Sequence, residues 1–199
     1  MGDYDTSPLQ KKARFNYHNK IMEIIDLPIP GLKLIRLTAF EDNRGFFKEC
    51  YRKPRYVEHG IEVDFVQDNL SFSKQNVIRG MHYQTEPGQA KLVSVLHGKI
   101  FDVAVDIRPD SPYFGKWTGV YLEADKHEQL FIPIGFAHGF CVVSLEGAHV
   151  HYKVSSVYDS STEKTFRFDD PHVDIKWPIN NPALSSRDLQ CPKFKEAFS

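Results

Sequence analysis

Arg79, Gly80, His82, Tyr83, Gln84 and Lys91 fall within one short stretch, "NVIRGMHYQTEPGQAKLV", Asn76–Val93. An arginine, a histidine and a lysine this close together have two readings. They are ordinary solvated polar residues, or they belong to a site that grips an anion and moves a proton. An arginine fork suits phosphate oxygens, and an imidazole titrates near neutrality. Arg79 and His82 are three residues apart, so a regular strand sends them to opposite faces. Gly80 between them permits a bulge that brings both to one side. His138, in "GFAHGF", is flanked by Gly135 and Gly139 in an apolar stretch. A polar residue there needs a partner, and one of the aspartates is a candidate.

A metal site is the first alternative. Barrels of the cupin type often hold a metal with an HxH pair, a following glutamate and a distant histidine. Around His82 the pair is missing, because Gly80 stands two before it and Gln84 two after. His149 and His151 do form an HxH, but Glu146 is the one nearby carboxylate and the Gly147–Ala148 step breaks its phase. A firm site takes three imidazoles or carboxylates together, so no metal ligands are assigned.

The elements that would carry these residues read as strands. In "KIFDVAVDI", Phe101, Val103 and Val105 share one face, while Asp102, Ala104 and Asp106 share the other, which faces a cavity or water. In "AHVHYKV", His149, His151 and Lys153 oppose Val150, Tyr152 and Val154. "QLFIPIGFAHGFCVV" reads as two apolar strands joined through Pro133 and Gly135. "RYVEHGI", from Arg55, makes a helical turn or two, and the stretch from Asn180 is irregular with a short helix. Many short strands separated by Gly, Pro, Asn and Asp predict an all-β sandwich or barrel with a cavity at its mouth. Residues 1–20 are expected to be a tail and residues 21–199 a single domain.

Composition narrows the function. A net charge of −1 argues against a nucleic-acid binder that relies on a positive field, so an anion must be held by a local cluster. Cys50, Cys141 and Cys191 are odd in number and contain no CxxC, which fits free thiols in a reducing compartment. The N-terminus lacks the apolar core of a secretory signal and no run of eighteen apolar residues occurs, so a cytoplasmic protein without a membrane partner is expected.

Seven stretches, "DNRGFFKECYR", "FVQDNLSFSKQNVIRGMHYQ", "KLVSVLHGKIFDVAVDIRPDSPYFGKW", "QLFIPIGFAHGFCVVS", "YKVSSVYDSSTE", "DDPHVDIKWP" and "LSSRDLQCP", together resemble, in order, the nucleotide-sugar 3,5-epimerases typified by dTDP-4-dehydrorhamnose 3,5-epimerase. The resemblance runs from about Ile25 to Phe194. It implies a cupin-like jelly roll, a homodimer, and activity without metal or organic cofactor. The implied substrate is a nucleoside-diphosphate 4-keto-6-deoxyhexose, with dTDP the expected nucleotide, in deoxysugar and surface-polysaccharide biosynthesis. Protons at C3 and C5, next to the ketone, are removed from one face and returned to the other. Such chemistry needs a placed base, a stabiliser for the enolate oxygen and an acid opposite the base.

By the same resemblance His82 is the base, with Asp188 hydrogen-bonded behind it to fix the tautomer and stabilise the imidazolium. Tyr152 is the acid and Lys91 sits near the keto oxygen. Arg44 and Arg79 match diphosphate contacts. Phe47, Glu49, Gln67 and Asn69 match nucleotide or sugar contacts, some of them reaching across the dimer. Tyr158 and Glu163 fall near the base or sugar, and His138 with Asp102 matches a polar pair lining the pocket. Arg187 stands where a lysine commonly precedes the aspartate, Met81 replaces a usual leucine and Phe131 a usual tryptophan. None of these departures removes a catalytic group. Four alternatives stay open: a mono-epimerase, a CDP- or GDP-linked substrate, metal-dependent cupin chemistry, and a non-catalytic sugar-nucleotide binder on the same barrel.

Overall fold

The computed structural model describes residues 21–199, so the expected tail lies outside the described residues. Two antiparallel sheets pack face to face. The first holds six strands: β1 (Met22–Asp26), β2 (Lys33–Leu37), β5 (Gln67–Ser73), β7 (Lys91–His97), β10 (Glu128–Ile132) and β12 (Ala148–Val154), in the order β1-β2-β10-β7-β12-β5. The second holds β6 (Ile78–Gln84), β8 (Lys99–Asp106), β9 (Trp117–Glu123), β11 (Phe136–Val142) and β13 (Glu163–Thr165), in the order β13-β6-β11-β8-β9. β3 (Phe40–Asp42) and β4 (Gly45–Phe47) form a separate hairpin. Three short α-helices, α1 (Lys53–Val57), α2 (Ser186–Leu189) and α3 (Phe194–Ala197), and a 3-10 turn at Ala124–Lys126 complete the described residues. This is the jelly-roll sandwich that the strand pattern and the resemblance predict. No helix among the described residues is long and apolar enough to cross a membrane.

The core between the sheets comes from the inward phase of each strand. Val93, Val95 and Val150 face Ile100, Ala104, Phe136, Phe140 and Val142 across it. The outer face of the five-stranded sheet is covered as well: Ile78, Met81, Phe101, Val103 and Val105 pack against Phe166, Val173, Ile175 and Phe194 of the irregular C-terminal part. β8 is therefore buried on both faces, and the aspartates at 102 and 106 are fully buried rather than washed by solvent. Only Asp102 joins the cavity chemistry. Asp106 binds Arg108 and Ser111 and ties down the loop after β8. All three cysteines are free.

Register sets which residues share the cavity. β12 pairs with β5 so that Tyr152 lies opposite Asn69 and Val154 opposite Gln67, and with β7 so that Val154 lies opposite Lys91. Period-2 alternation then puts Gln67, Asn69, Lys91 and Tyr152 on one face. Lower down the same face carries Val93, Val95 and Val150, so a polar end sits on an apolar floor. β5 inverts the usual pattern, sending Gln67, Asn69, Ser71 and Ser73 inward and leaving Leu70 and Phe72 exposed outside beside Asp68.

Candidate active site

The cavity, about 110 Å³, is lined from both sheets: Asn69, Lys91 and Tyr152 from the first, and Arg79, His82, His138, Phe140 and Glu163 from the second, with Gln89 and Tyr158 from loops. Arg79 and His82 both reach it despite their spacing of three. Gly80 adopts a φ of +124° and the β6–β11 pairing slips register between His138 and Phe140. A Cβ at Gly80 would stand 2.5 Å from the Gly139 Cα, so a side chain is excluded where the strands meet most closely. The irregularity expected from the glycine is what turns both side chains inward.

His82 Nε2 lies 2.7 Å from Asp188 Oδ1. The carboxylate is fixed in turn: Ser185, the N-cap of α2, donates its hydroxyl to Asp188 Oδ2 at 2.9 Å and accepts from the Asp188 backbone N–H. Burial alone would raise the Asp188 pKa, but the hydrogen bond and charge of His82, the Ser185 hydroxyl and nearby Arg187 bring it below the usual carboxylate value. An ionised Asp188 takes the Nε2–H, which leaves the lone pair of His82 on Nδ1.

Tyr152 projects from the opposing sheet. Burial raises its phenol pKa against the lowering effect of Arg79, so it stays protonated until a strong base draws the proton. Lys91 is buried, and this burial pushes its amine down to about 8, with Glu163 and Asp102 acting in the opposite sense. His138 Nε2 is held 2.9 and 3.0 Å from the two carboxylate oxygens of Asp102. Burial lowers the His138 pKa, outweighing Asp102. A base and an acid on facing sheets, with a buried ammonium among them, can take a proton from one side of a flat ligand and return it from the other.

Polar groups define the rim. Arg79 donates to Ser73 Oγ at 2.8 Å. Gln67 bonds Asn69 and accepts from the backbone N–H of Tyr158, and Glu163 joins Tyr158 and Arg187. The expected residues His82, Asp188, Tyr152, Lys91, Arg79, His138, Asp102, Gln67, Asn69, Tyr158, Glu163 and Arg187 thus gather in one place. Arg44, Phe47 and Glu49 do not. Arg44 pairs with Asp42 on the β3–β4 hairpin with its side chain 84% exposed, and Phe47 is 72% exposed. Glu49 bonds Arg55 and lines a different groove with Lys48, Tyr51 and Lys153. Gln89 and Phe140 are cavity residues that sequence reasoning missed. Phe140 reads as ordinary core, and Gln89 sits in a loop with no periodicity. Among the described residues no group of three or more His, Cys, Asp or Glu converges as a metal-ligand set.

Comparison with known proteins accords with this geometry. A family model described as dTDP-4-dehydrorhamnose 3,5-epimerase matches residues 26–196. The dTDP-4-dehydrorhamnose 3,5-epimerase of Shigella flexneri is 47% identical over 178 residues, which make up 88% of this chain and 98% of that protein. The dTDP-4-dehydrorhamnose 3-epimerase of Streptomyces niveus is 38% identical, covering 88% of this chain and 86% of its own. A crystal structure of dTDP-6-deoxy-D-glucose-3,5-epimerase from Legionella pneumophila Philadelphia 1, in complex with dTDP-4-keto-L-rhamnose, matches with a TM-score of 0.85 at 45% identity. It covers 87% of this chain and 93% of that one. On this evidence the chain belongs to the dTDP-4-dehydrorhamnose 3,5-epimerase family.

Proposed function

We propose that this protein inverts C3 and C5 of dTDP-4-keto-6-deoxyglucose, giving the dTDP-4-dehydrorhamnose used in deoxysugar biosynthesis. The observation that carries the reading is the His82–Asp188 pair, 2.7 Å apart, in a cavity whose other sheet supplies Tyr152. His82 Nδ1 removes the proton beside the ketone. The electron pair moves onto the C4 oxygen, and the ammonium of Lys91 lowers the energy of that enolate. Tyr152 then delivers a proton to the opposite face, His82 returns its proton to solvent and Tyr152 regains one from solvent, and the sequence repeats at the second carbon. Arg79 at the cavity edge takes the diphosphate. Each proton transfer at carbon uses a side chain of the cavity.

The protein acts in this reading as a homodimer. Arg44, Phe47 and Glu49 lie away from their own chain's cavity, where a second copy's cavity is the site they would complete. The exposed apolar side chains Leu70, Phe72 and Leu96 offer a surface for that contact. A cytoplasmic location accords with a nucleotide-sugar substrate and three free thiols. Inversion at C3 alone is the second reading, favoured by the likeness to the Streptomyces niveus 3-epimerase.

Incubation with dTDP-4-keto-6-deoxyglucose in deuterated water tests the proposal. Deuterium at both C3 and C5 is expected. Label at C3 alone selects the second reading, and no label with folded protein rejects both.

A further inference from the structure

Gln89 lines the cavity and has no part in the steps above. It sits in the loop between β6 and β7, and its amide belongs to a hydrogen-bond chain whose direction is set by its ends. At one end the Thr162 hydroxyl donates to the Asp159 carbonyl at 3.3 Å. A carbonyl only accepts, so Thr162 Oγ1 has used its one hydrogen and accepts from Gln84 Nε2 at 3.1 Å. Gln84 Oε1 is then the atom that accepts from Gln89 Nε2. From the other end, Gln89 Nε2 donates to the Ser156 carbonyl at 3.0 Å, a second obligate acceptor. Both ends agree: both hydrogens of the Gln89 amide are taken, and a flipped amide would face an oxygen with an oxygen. What remains is Gln89 Oε1. Among the described residues Ser71 Oγ is the one sealed side-chain polar atom without a partner, so Gln89 Oε1 is accessible, and the residue that carries it lines the cavity.

We propose that Gln89 Oε1 accepts a hydrogen bond from a ring hydroxyl of the bound hexose, and so recognises the sugar rather than the nucleotide. This rests on the epimerase reading. A 4-keto-6-deoxyhexose keeps hydroxyls only at C2 and C3, beside the reacting centre. A neutral acceptor is suited to that position, because another carboxylate would raise the energy of the forming enolate.

Gln89→Met keeps the length and removes the acceptor. Calorimetry then compares TDP, which lacks the hexose, with dTDP-glucose, which is bound without turnover. The expected result is about a 10-fold loss of affinity for dTDP-glucose with TDP unchanged, together with a raised KM and a kcat within a few-fold for the keto sugar. Equal weakening of both ligands, or no weakening of either, overturns the proposal. Thr162→Val removes the hydroxyl that orients Gln84 without touching Gln89, and a smaller loss confined to dTDP-glucose is expected. Failure of deuterium exchange by the unsubstituted protein would count against the epimerase reading and leave this binding comparison intact.

Discussion

Replacing Lys91 by Met should make the protein more stable and nearly inactive. Lys91 is 9% exposed, and burial lowers its pKa from 10.5 to about 8. The gap corresponds to roughly 3 kcal/mol borne by the folded state while the amine is charged. Met fills similar space without charge, so at pH 7 the variant should gain about 1–3 kcal/mol, a rise in Tm of several degrees. The pH dependence fixes the sign. Unfolded lysine holds its proton to about 10.5, whereas the folded one releases it near 8. The burden is therefore complete below pH 8 and disappears between pH 8 and 10.5. The lead of the variant should shrink across that window. Turnover should fall by about 10²–10³-fold, and kcat/KM of the parent should decline above pH 8 as the ammonium is lost. Thermal melts from pH 7 to 10, with deuterium-exchange rates, read both effects. A destabilised variant, a stability gap independent of pH, or unchanged turnover would refute the reasoning.

Three further outcomes follow from the geometry. Asp188→Asn should reduce turnover by about 10²-fold or more while TDP affinity by calorimetry is retained, since the amide can no longer stabilise the imidazolium. Gly80→Ala should destabilise by about 2 kcal/mol or more in urea unfolding, because the new Cβ meets the Gly139 backbone at a positive φ, and it should impair turnover as Arg79 and His82 diverge. If Arg44 serves the partner's cavity, Arg44→Ala and His82→Ala proteins mixed after dissociation should recover about a quarter of the parent activity, since half the dimers are hybrids with one intact site. No recovery would place Arg44 in its own chain's function.

Much of the fold was legible because period-2 alternation is a local property. The phase of β12 put Tyr152 with Val150 and Val154; Tyr152 packs against the cluster that holds Val150, and Val154 is buried. The joint through Pro133 and Gly135 separates β10 from β11 as expected. Alternation could not tell that neither face of β8 meets water, because the covering layer of Phe166, Val173, Ile175 and Phe194 comes from a distant irregular segment. β5 was opaque for a related reason: Gln67, Asn69, Ser71 and Ser73 point inward while Leu70 and Phe72 point out, against the simple rule of burial. The site was legible mainly through motif order. Asp188 and His82 are 106 positions apart, and spacing alone could not pair them. The Asp102–His138 contact was foreseeable because a histidine in an apolar strand demands an acceptor. Gln89 was not, because its role depends on two backbone carbonyls and on two other side chains, Gln84 and Thr162.

The central claim is that a proton leaves one face of the hexulose and returns to the other. It is tested most directly by running Tyr152→Phe and His82→Asn in deuterated water and recovering the sugar for NMR. Tyr152→Phe should still take up deuterium but give little inverted product, whereas His82→Asn should neither label nor invert. Inversion by Tyr152→Phe at the parent rate, or labelling by His82→Asn, would contradict the account.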